Sequence, residues 1–303
     1  MCAICGCSSD AHHPGGHGPH AHGPGHEPHH EHEHEHAPHH EHEHVHAASP
    51  AVLGDGSGTR DARARTIRLE QEVLARNDRI AAECRAWLAA RGVVAINVLS
   101  SPGSGKTTLL ERTLRDQRDQ REDGDGGLAL SVIEGDQETA RDADRIRAAD
   151  ARVVQINTGT GCHLDARMVL AALPELDPAE GSLVVIENVG NLVCPALFDL
   201  GERAKVVVFS VTEGDDKPLK YPHMFRACDA VVLSKIDLAP YVPFDRDRFV
   251  ANALSVNPRL EVIELSATRG DGMDAWYTWL RRAAFGGRGP SGSFEPAGGR
   301  GRA

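Results

Sequence analysis

The chain has 303 residues, 40% of them hydrophobic and only 4% aromatic, enough apolar material for one or two globular domains with aliphatic cores. A formal net charge of −11, from 33 basic and 44 acidic side chains, argues against nucleic acid or an anionic membrane as the main partner. No stretch reaches the roughly eighteen uninterrupted apolar residues of a membrane span, and the start lacks the basic and apolar regions of a secretory leader, so the cytoplasm is the expected location. Seven cysteines, an odd number in a large and reduced protein, point to metal binding or burial rather than to disulfides.

The chain opens on "MCAICGC", in which Cys2, Cys5 and Cys7 form C-x2-C-x-C. Three thiols this close can chelate a soft or borderline ion, with a redox pair as the alternative. Between His12 and His46 lie 16 of the 18 histidines, interspersed with Glu, Pro and Gly. Neutral imidazoles suit nickel, copper and zinc, and a flexible chain offers many overlapping weak sites. Residues 1–46 carry seven acids and no Lys or Arg, so the rest of the chain, with 33 basic and 37 acidic side chains, is close to balance. Residues 1–59 hold hardly any large aliphatics and are expected to be a disordered metal-binding tail.

From about Arg60 the spacing of Leu69, Val73, Ile80, Cys84 and Trp87 predicts an amphipathic helix that Gly92 ends. Seven short β-rich runs follow at 93–100, 128–135, 153–159, 182–190, 204–214, 230–237 and 261–267, alternating with helical stretches. Continuous apolar strands alternating with helices predict an α/β domain over 60–285, a mainly parallel sheet covered on both faces. Residues 286–303, rich in Gly, Arg and Pro, read as a frayed tail.

In "SSPGSGKTT" (100–108), Gly103 and Gly105 permit a tight turn with its N–H groups inward. Lys106 can reach the β- and γ-phosphates of a nucleotide, and the Thr107 hydroxyl can bind magnesium. A strand before and a helix after make this a P-loop, although the first glycine of G-x4-G-K-[ST] is Ser100 here. The fold is therefore expected to be that of the P-loop NTPases. "IENVG" puts Glu187 at the carboxyl end of a strand, where its carboxylate can hold magnesium through water, with Gly190 free to approach the γ-phosphate. "EGDQET" offers Asp136 as a second magnesium ligand. "LSKID" places Ser234, Lys235 and Asp237 after another strand, where the Asp237 carboxylate can accept the N1–H and N2 protons of guanine. "LSATRG" supplies a second base-side loop through Ser266 and Ala267.

"GTGCHL" holds Cys162 and His163 at an expected helix start, and "NLVCPA" holds Cys194 four residues beyond Gly190. Neighbours on a helix point about 100° apart, so these two residues are not expected to close on one ion unaided. A third ligand, from Cys194 or from a second subunit, would solve that.

The stretches "SSPGSGKTTLL", "IEGDQET", "NTGTGCHLDA", "IENVGNLVCPA", "VTEGDDKPLKYPHMF" and "LSATRGDGM" together resemble the hydrogenase nickel incorporation GTPases, the HypB family, over about residues 60–285. The resemblance implies slow hydrolysis of GTP to GDP and phosphate, a homodimer, and a metallochaperone that delivers nickel to the large subunit of nickel-iron hydrogenase with the accessory protein HypA. It implies that Pro102, Gly103, Ser104, Gly105, Lys106, Thr107 and Thr108 hold phosphate, and that Thr107, Asp136 and Glu187 surround magnesium. Gly190 would follow the γ-phosphate and move the loop carrying Cys194. Ser234, Lys235, Asp237, Ser266 and Ala267 would read guanine, with Ser234 where the family usually has Asn. Cys162, His163 and Cys194 would form a nickel or zinc site in the domain, and Cys2, Cys5 and Cys7 a separate one. The histidine ribbon resembles a variable extension that stores nickel in some members. Two alternatives are a related metallochaperone GTPase of the urease accessory type, against which "ENVGNLVCP" and the N-terminal thiols argue, and a nickel storage or detoxification protein, which only the tail supports.

Overall fold

The computed structural model describes residues 57–136, 151–159 and 161–286. Cys2, Cys5, Cys7, the histidines from His12 to His46 and the residues beyond Gly286 lie outside the described residues. The chain divides into two units between Ile67 and Arg68. Of the first, residues 57–67 are described, and they are helical, the opening of helix α1 (Ser57–Ala89). The helix thus begins a little before the Arg60 expected from the sequence.

The second unit is built on seven strands: β1 (Val94–Ser100), β2 (Leu130–Asp136), β3 (Arg152–Asn157), β4 (Leu183–Glu187), β5 (Ala204–Ser210), β6 (Ala230–Ser234) and β7 (Glu261–Glu264). Each expected strand run overlaps one of them, with β2 reaching one residue past its expected end and β3 beginning one residue before its expected start. Every pairing is parallel, in the order β3-β2-β4-β1-β5-β6-β7. The residue choice explains the arrangement: "LVVIE" and "AVVLS" are buried along their whole length, as strands covered on both faces must be.

On one face, Ile96, Val98 and Val206 pack with Leu109 and Leu110 of α2 (Lys106–Glu122) and with Trp276 and Leu280 of the C-terminal helix Met273–Phe285. On the other, Ala95, Ile133, Val184 and Ile186 pack with Ala81, Cys84 and Leu88 of α1 and with Val169 and Leu173 of α3 (Ala166–Leu176). A third cluster joins Phe209, Phe225 and Phe249. Because all strands run the same way, their carboxyl ends form one rim. The chain turns to opposite sides of β1 to continue, which makes that rim the place where a ligand crevice opens in such sheets.

The expected apolar stripe of α1 is corrected in part. Leu69 and Val73 are exposed, while Asn77, Ala81, Cys84 and Leu88, at the same helical spacing, are buried. The stripe runs on toward the start of the helix, but packing on the sheet begins near Leu74. Burial pushes the Cys84 thiol up to about 12, and its sulfur donates to the Ala166 carbonyl at 3.3 Å, so this cysteine is structural. Gly92, at φ +63°, follows the end of the helix as expected. Among the described residues no helix is long and apolar enough to cross a membrane.

Candidate functional site

Between β1 and α2 the loop 101–105 turns with Gly103 at φ +75° and Gly105 at φ +96°, left-handed values that favour glycine. The loop is tied down from the neighbouring strands. Ser234 Oγ at the end of β6 donates to the Ser104 carbonyl at 2.5 Å, and Lys235 Nζ donates to the Gly103 carbonyl at 2.7 Å. The Ser101 hydroxyl donates to Glu213, whose other oxygen accepts the Ser210 N–H. A Cβ added at Gly190 would sit 3.4 Å from Pro102, so the loop after β4 lies in direct contact with the P-loop.

Lys106 and Thr107 begin α2, and Thr108 follows in its first turn. Lys106 Nζ lies 2.5 Å from Glu187 Oε1, and Thr107 Oγ1 donates to the same oxygen at 2.8 Å. Glu187 is 1% exposed, and its Oε2 is buried without a hydrogen-bond partner. An unsatisfied buried carboxylate oxygen is costly, which marks this as a place built to receive something. A hard cation fits: the donors are a hydroxyl and carboxylates, the oxygen set that magnesium takes. Asp136 ends β2 on the same face of the sheet, two residues beyond Glu134, which is in register with Glu187 and almost fully buried. The sequence reading did not single out Glu134. Its position shows only once β2 and β4 are paired.

The loops after β6 and β7, expected from the sequence to face a guanine base, meet at the rim. Lys235 takes a left-handed conformation at φ +57°, and Asp237 follows, half-buried, in the 3₁₀ turn Ile236–Tyr241. The Ile236 N–H donates to the Leu265 carbonyl at 3.3 Å, joining this loop to the segment with Ser266 and Ala267. Ser266 is fully buried, its hydroxyl 3.1 Å from that of Thr268 and accepting the Arg269 N–H. Arg112 of α2, held by Asp116, reaches the Ala267 carbonyl at 3.4 Å.

The expected geometry of Cys162 and His163 is overturned. They do not start a helix: Asp165 caps α3 by accepting the Met168 N–H at 2.8 Å, so α3 begins at Ala166 and the pair lies in the loop before it. The 100° offset therefore does not apply. Cys162 Sγ is 3.6 Å from His163 Nδ1, and one ligand atom from each of Cys162, His163 and Cys194 lies within 4.8 Å of the others, all in a single chain. Cys194 is buried at the start of a short helix (Cys194–Leu197). The His163 ring packs on Phe198 with centroids 4.0 Å apart. Burial lowers the His163 pKa, with Asp165 opposing, which favours the neutral imidazole that a metal needs.

A P-loop at the carboxyl rim of a parallel sheet, with a buried carboxylate facing its lysine, defines a P-loop nucleotide-binding protein, and this one carries a thiol and imidazole cluster beside the crevice. The sequence matches the CobW/HypB/UreG nucleotide-binding domain over residues 94–264. Over 220 residues it is 56% identical to the hydrogenase maturation factor HypB of Rhizobium leguminosarum bv. viciae, covering 73% of this chain and 71% of that protein. HypB from Archaeoglobus fulgidus matches with a TM-score of 0.61 at 38% identity, over 70% of this chain and 100% of that one. HypB from Helicobacter pylori, solved in complex with nickel, matches with a TM-score of 0.63 at 37% identity, over 69% and 95%. The chain belongs to the HypB family of hydrogenase maturation factors.

The Ser234 contact predicts a measurable cost. Replacing Ser234 by Ala removes the buried hydrogen bond to the P-loop carbonyl and should lower stability by about 1–2 kcal/mol in denaturant unfolding. An unchanged midpoint would show that the contact contributes nothing.

Proposed function

We propose that the chain is a GTP-hydrolysing nickel metallochaperone that helps to insert nickel into nickel-iron hydrogenase during maturation. The observation that carries this reading is the short segment 187–194. It begins with the carboxylate that meets the P-loop lysine and ends with the thiol of the metal cluster. The family membership and the nickel complex of the Helicobacter relative support it.

In this mechanism GTP draws Lys106 away from Glu187 onto its β- and γ-phosphates, and the loop N–H groups from Gly103 to Thr108 face the phosphate oxygens, with Pro102 shaping the loop before them. Magnesium, when bound, neutralises charge on the transferring phosphoryl group. Thr107, Asp136 and Glu187 are the residues that would hold it. Glu187, released by Lys106, also orients water at the phosphate. Asp237 accepts two protons from guanine, the Lys235 stem covers the base, and Ser266 and Ala267 close the other edge. Gly190, packed on Pro102, carries the phosphate state toward Cys194. Nickel is the cargo: two thiolates and an imidazole from Cys162, Cys194 and His163 suit nickel, and equally zinc. Cys2, Cys5 and Cys7 form a separate site, and the histidines from 12 to 46 keep nickel locally concentrated. A nucleotide-promoted homodimer, HypA and the precursor of the hydrogenase large subunit complete the set of partners, in the cytoplasm.

Four outcomes are expected. Asp237→Asn should weaken GTP binding by a few kcal/mol and gain xanthosine triphosphate, whose C2 carbonyl pairs with an amide donor; unchanged GTP affinity in titrations would sink the guanine assignment. Equilibrium dialysis should show that residues 12–46 hold on the order of four to eight nickel ions, at two to four imidazoles each, released as the pH falls through the ordinary imidazole value near 6.5. A chain beginning near Ala47 with equal stoichiometry would refute that. Cys162→Ala should remove metal from the domain and leave nucleotide binding intact, while a non-hydrolysable GTP analogue with magnesium raises the dimer fraction in sedimentation. Full occupancy in the variant, or a dimer indifferent to nucleotide, would count against the coupling. Finally, deleting the gene should abolish nickel-iron hydrogenase activity, and undiminished activity at low nickel would overturn the maturation role.

A further inference from the structure

Successive residues at the end of β4 point to opposite faces of the sheet. Glu187 faces α2, where Lys106 and Thr107 meet it. Asn188 faces the other side, where its Oδ1 accepts the N–H of Leu164 at 3.2 Å and that of Val189 at 3.0 Å. Leu164 adjoins His163. From Asn188 a line of polar groups runs through the core: Nδ2 donates to Asn97 Oδ1 at 3.4 Å, and Asn97 Nδ2 donates to Glu202 Oε1 at 3.3 Å. Glu202 is held by Lys205 at 3.3 Å and by the Leu200 N–H at 2.6 Å. Asn97 and Asn188 are fully buried.

The line has a single polarity. A backbone N–H can only donate, so Leu164 and Val189 fix the oxygen of Asn188 toward themselves, which turns its nitrogen to Asn97. Asn97 must then offer its oxygen to Asn188 and its nitrogen to the Glu202 carboxylate. Neither amide can flip without placing two donors or two acceptors against each other in a site closed to water, at a cost of a few kcal/mol.

We propose that Asn188 is the positioning residue through which the nucleotide state reaches the metal-binding loop: it makes the backbone beside His163 move with the segment that carries Glu187. The inference rests on the reading above that this chain binds both GTP and nickel. Nucleotide replaces Glu187 as the partner of Lys106 and bears on Gly190, so residues 187–190 shift as a piece. Asn188, held in one orientation, transmits that shift to Leu164 and hence to His163. Linkage then requires bound metal to alter nucleotide affinity by the same factor.

The test uses the full chain and reads the affinity for a non-hydrolysable GTP analogue with and without Ni²⁺. In the wild type the two affinities should differ about fivefold or more, and Cys162→Ala should abolish the difference while the tail still binds metal. Asn188→Ala should bring the ratio to within about twofold of one, with the metal-free affinity within about threefold of wild type. Asn188→Asp, whose burial favours the neutral carboxyl, keeps an oxygen for Leu164 and Val189 and an O–H for Asn97, and should retain most of the effect. A wild-type ratio in Asn188→Ala overturns the proposal, and so does equal loss in both variants, the mark of a merely structural role. A ratio of one in a wild type that binds both ligands overturns this inference alone, whereas failure of the analogue to bind, or of Ni²⁺ to bind in a Cys162-dependent way, overturns the reading beneath it. Should Asn188→Ala fail to fold, hydrogen exchange of the Leu164 amide in the wild type decides. Protection is expected to change about tenfold or more on binding the analogue, and unchanged protection overturns the assignment.

Discussion

The site depends first on one buried ion pair, Lys106 with Glu187, whose side chains are 12% and 1% exposed. Such a pair contributes little net stability, because desolvation offsets most of the attraction, yet removing either partner leaves a buried charge at a cost of about 3–5 kcal/mol. Each group therefore needs a replacement partner before it can let go of the other. A polyphosphate arriving with a cation supplies both replacements together, a negative partner for the lysine and a positive one for the carboxylate. The pair is thus matched to exchange with that ligand.

The pair forms because β1 and β4 are neighbours in a parallel sheet, with Val98 in register with Glu187. Parallel order places the P-loop, the end of β4 and the end of β6 on one rim, and short contacts then lock them: Ser234 and Lys235 hold the loop carbonyls, and Gly190 lies against Pro102. Ser234 illustrates how local geometry assigns a role. Its small hydroxyl, at the end of β6, reaches across to the Ser104 carbonyl of the P-loop.

The strands were legible because their Val, Ile and Leu runs have no other stable place than a doubly covered sheet, and the P-loop was legible because glycine, lysine and threonine at that spacing serve few other ends. What the sequence hid was partnership. Leu69 and Val73 keep the helical stripe of α1, but a stripe does not state where the surface it packs against stops. Cys162 and His163 read as a helix start, whereas the capping side chain of Asp165 moves the start to Ala166 and leaves the pair in a loop with freedom to converge. Glu134 and Asn188 lay inside quoted motifs without being given a role, and Asn97 lay unmarked in an apolar strand run. A polar residue inside a strand acquires meaning only from the strand paired with it.

The line from Asn188 through Asn97 to Glu202 is hard to explain as a stability device. Burying two carboxamides and a carboxylate against one face of the sheet costs several kcal/mol before their hydrogen bonds are counted, and apolar side chains of similar volume would fill the same space with no such cost. What the polar line provides that aliphatic packing does not is direction: every donor and acceptor along it is fixed by the backbone N–H groups at one end and the carboxylate at the other. An aliphatic contact between β4 and the loop at Leu164 would let one slide over the other. A hydrogen bond from a buried amide oxygen allows no slip, because the N–H it would abandon has no water to turn to. The alternation of side chains at the end of β4 thus sends Glu187 to the P-loop lysine and Asn188 to the loop that carries Cys162 and His163, so one short segment is tied to both.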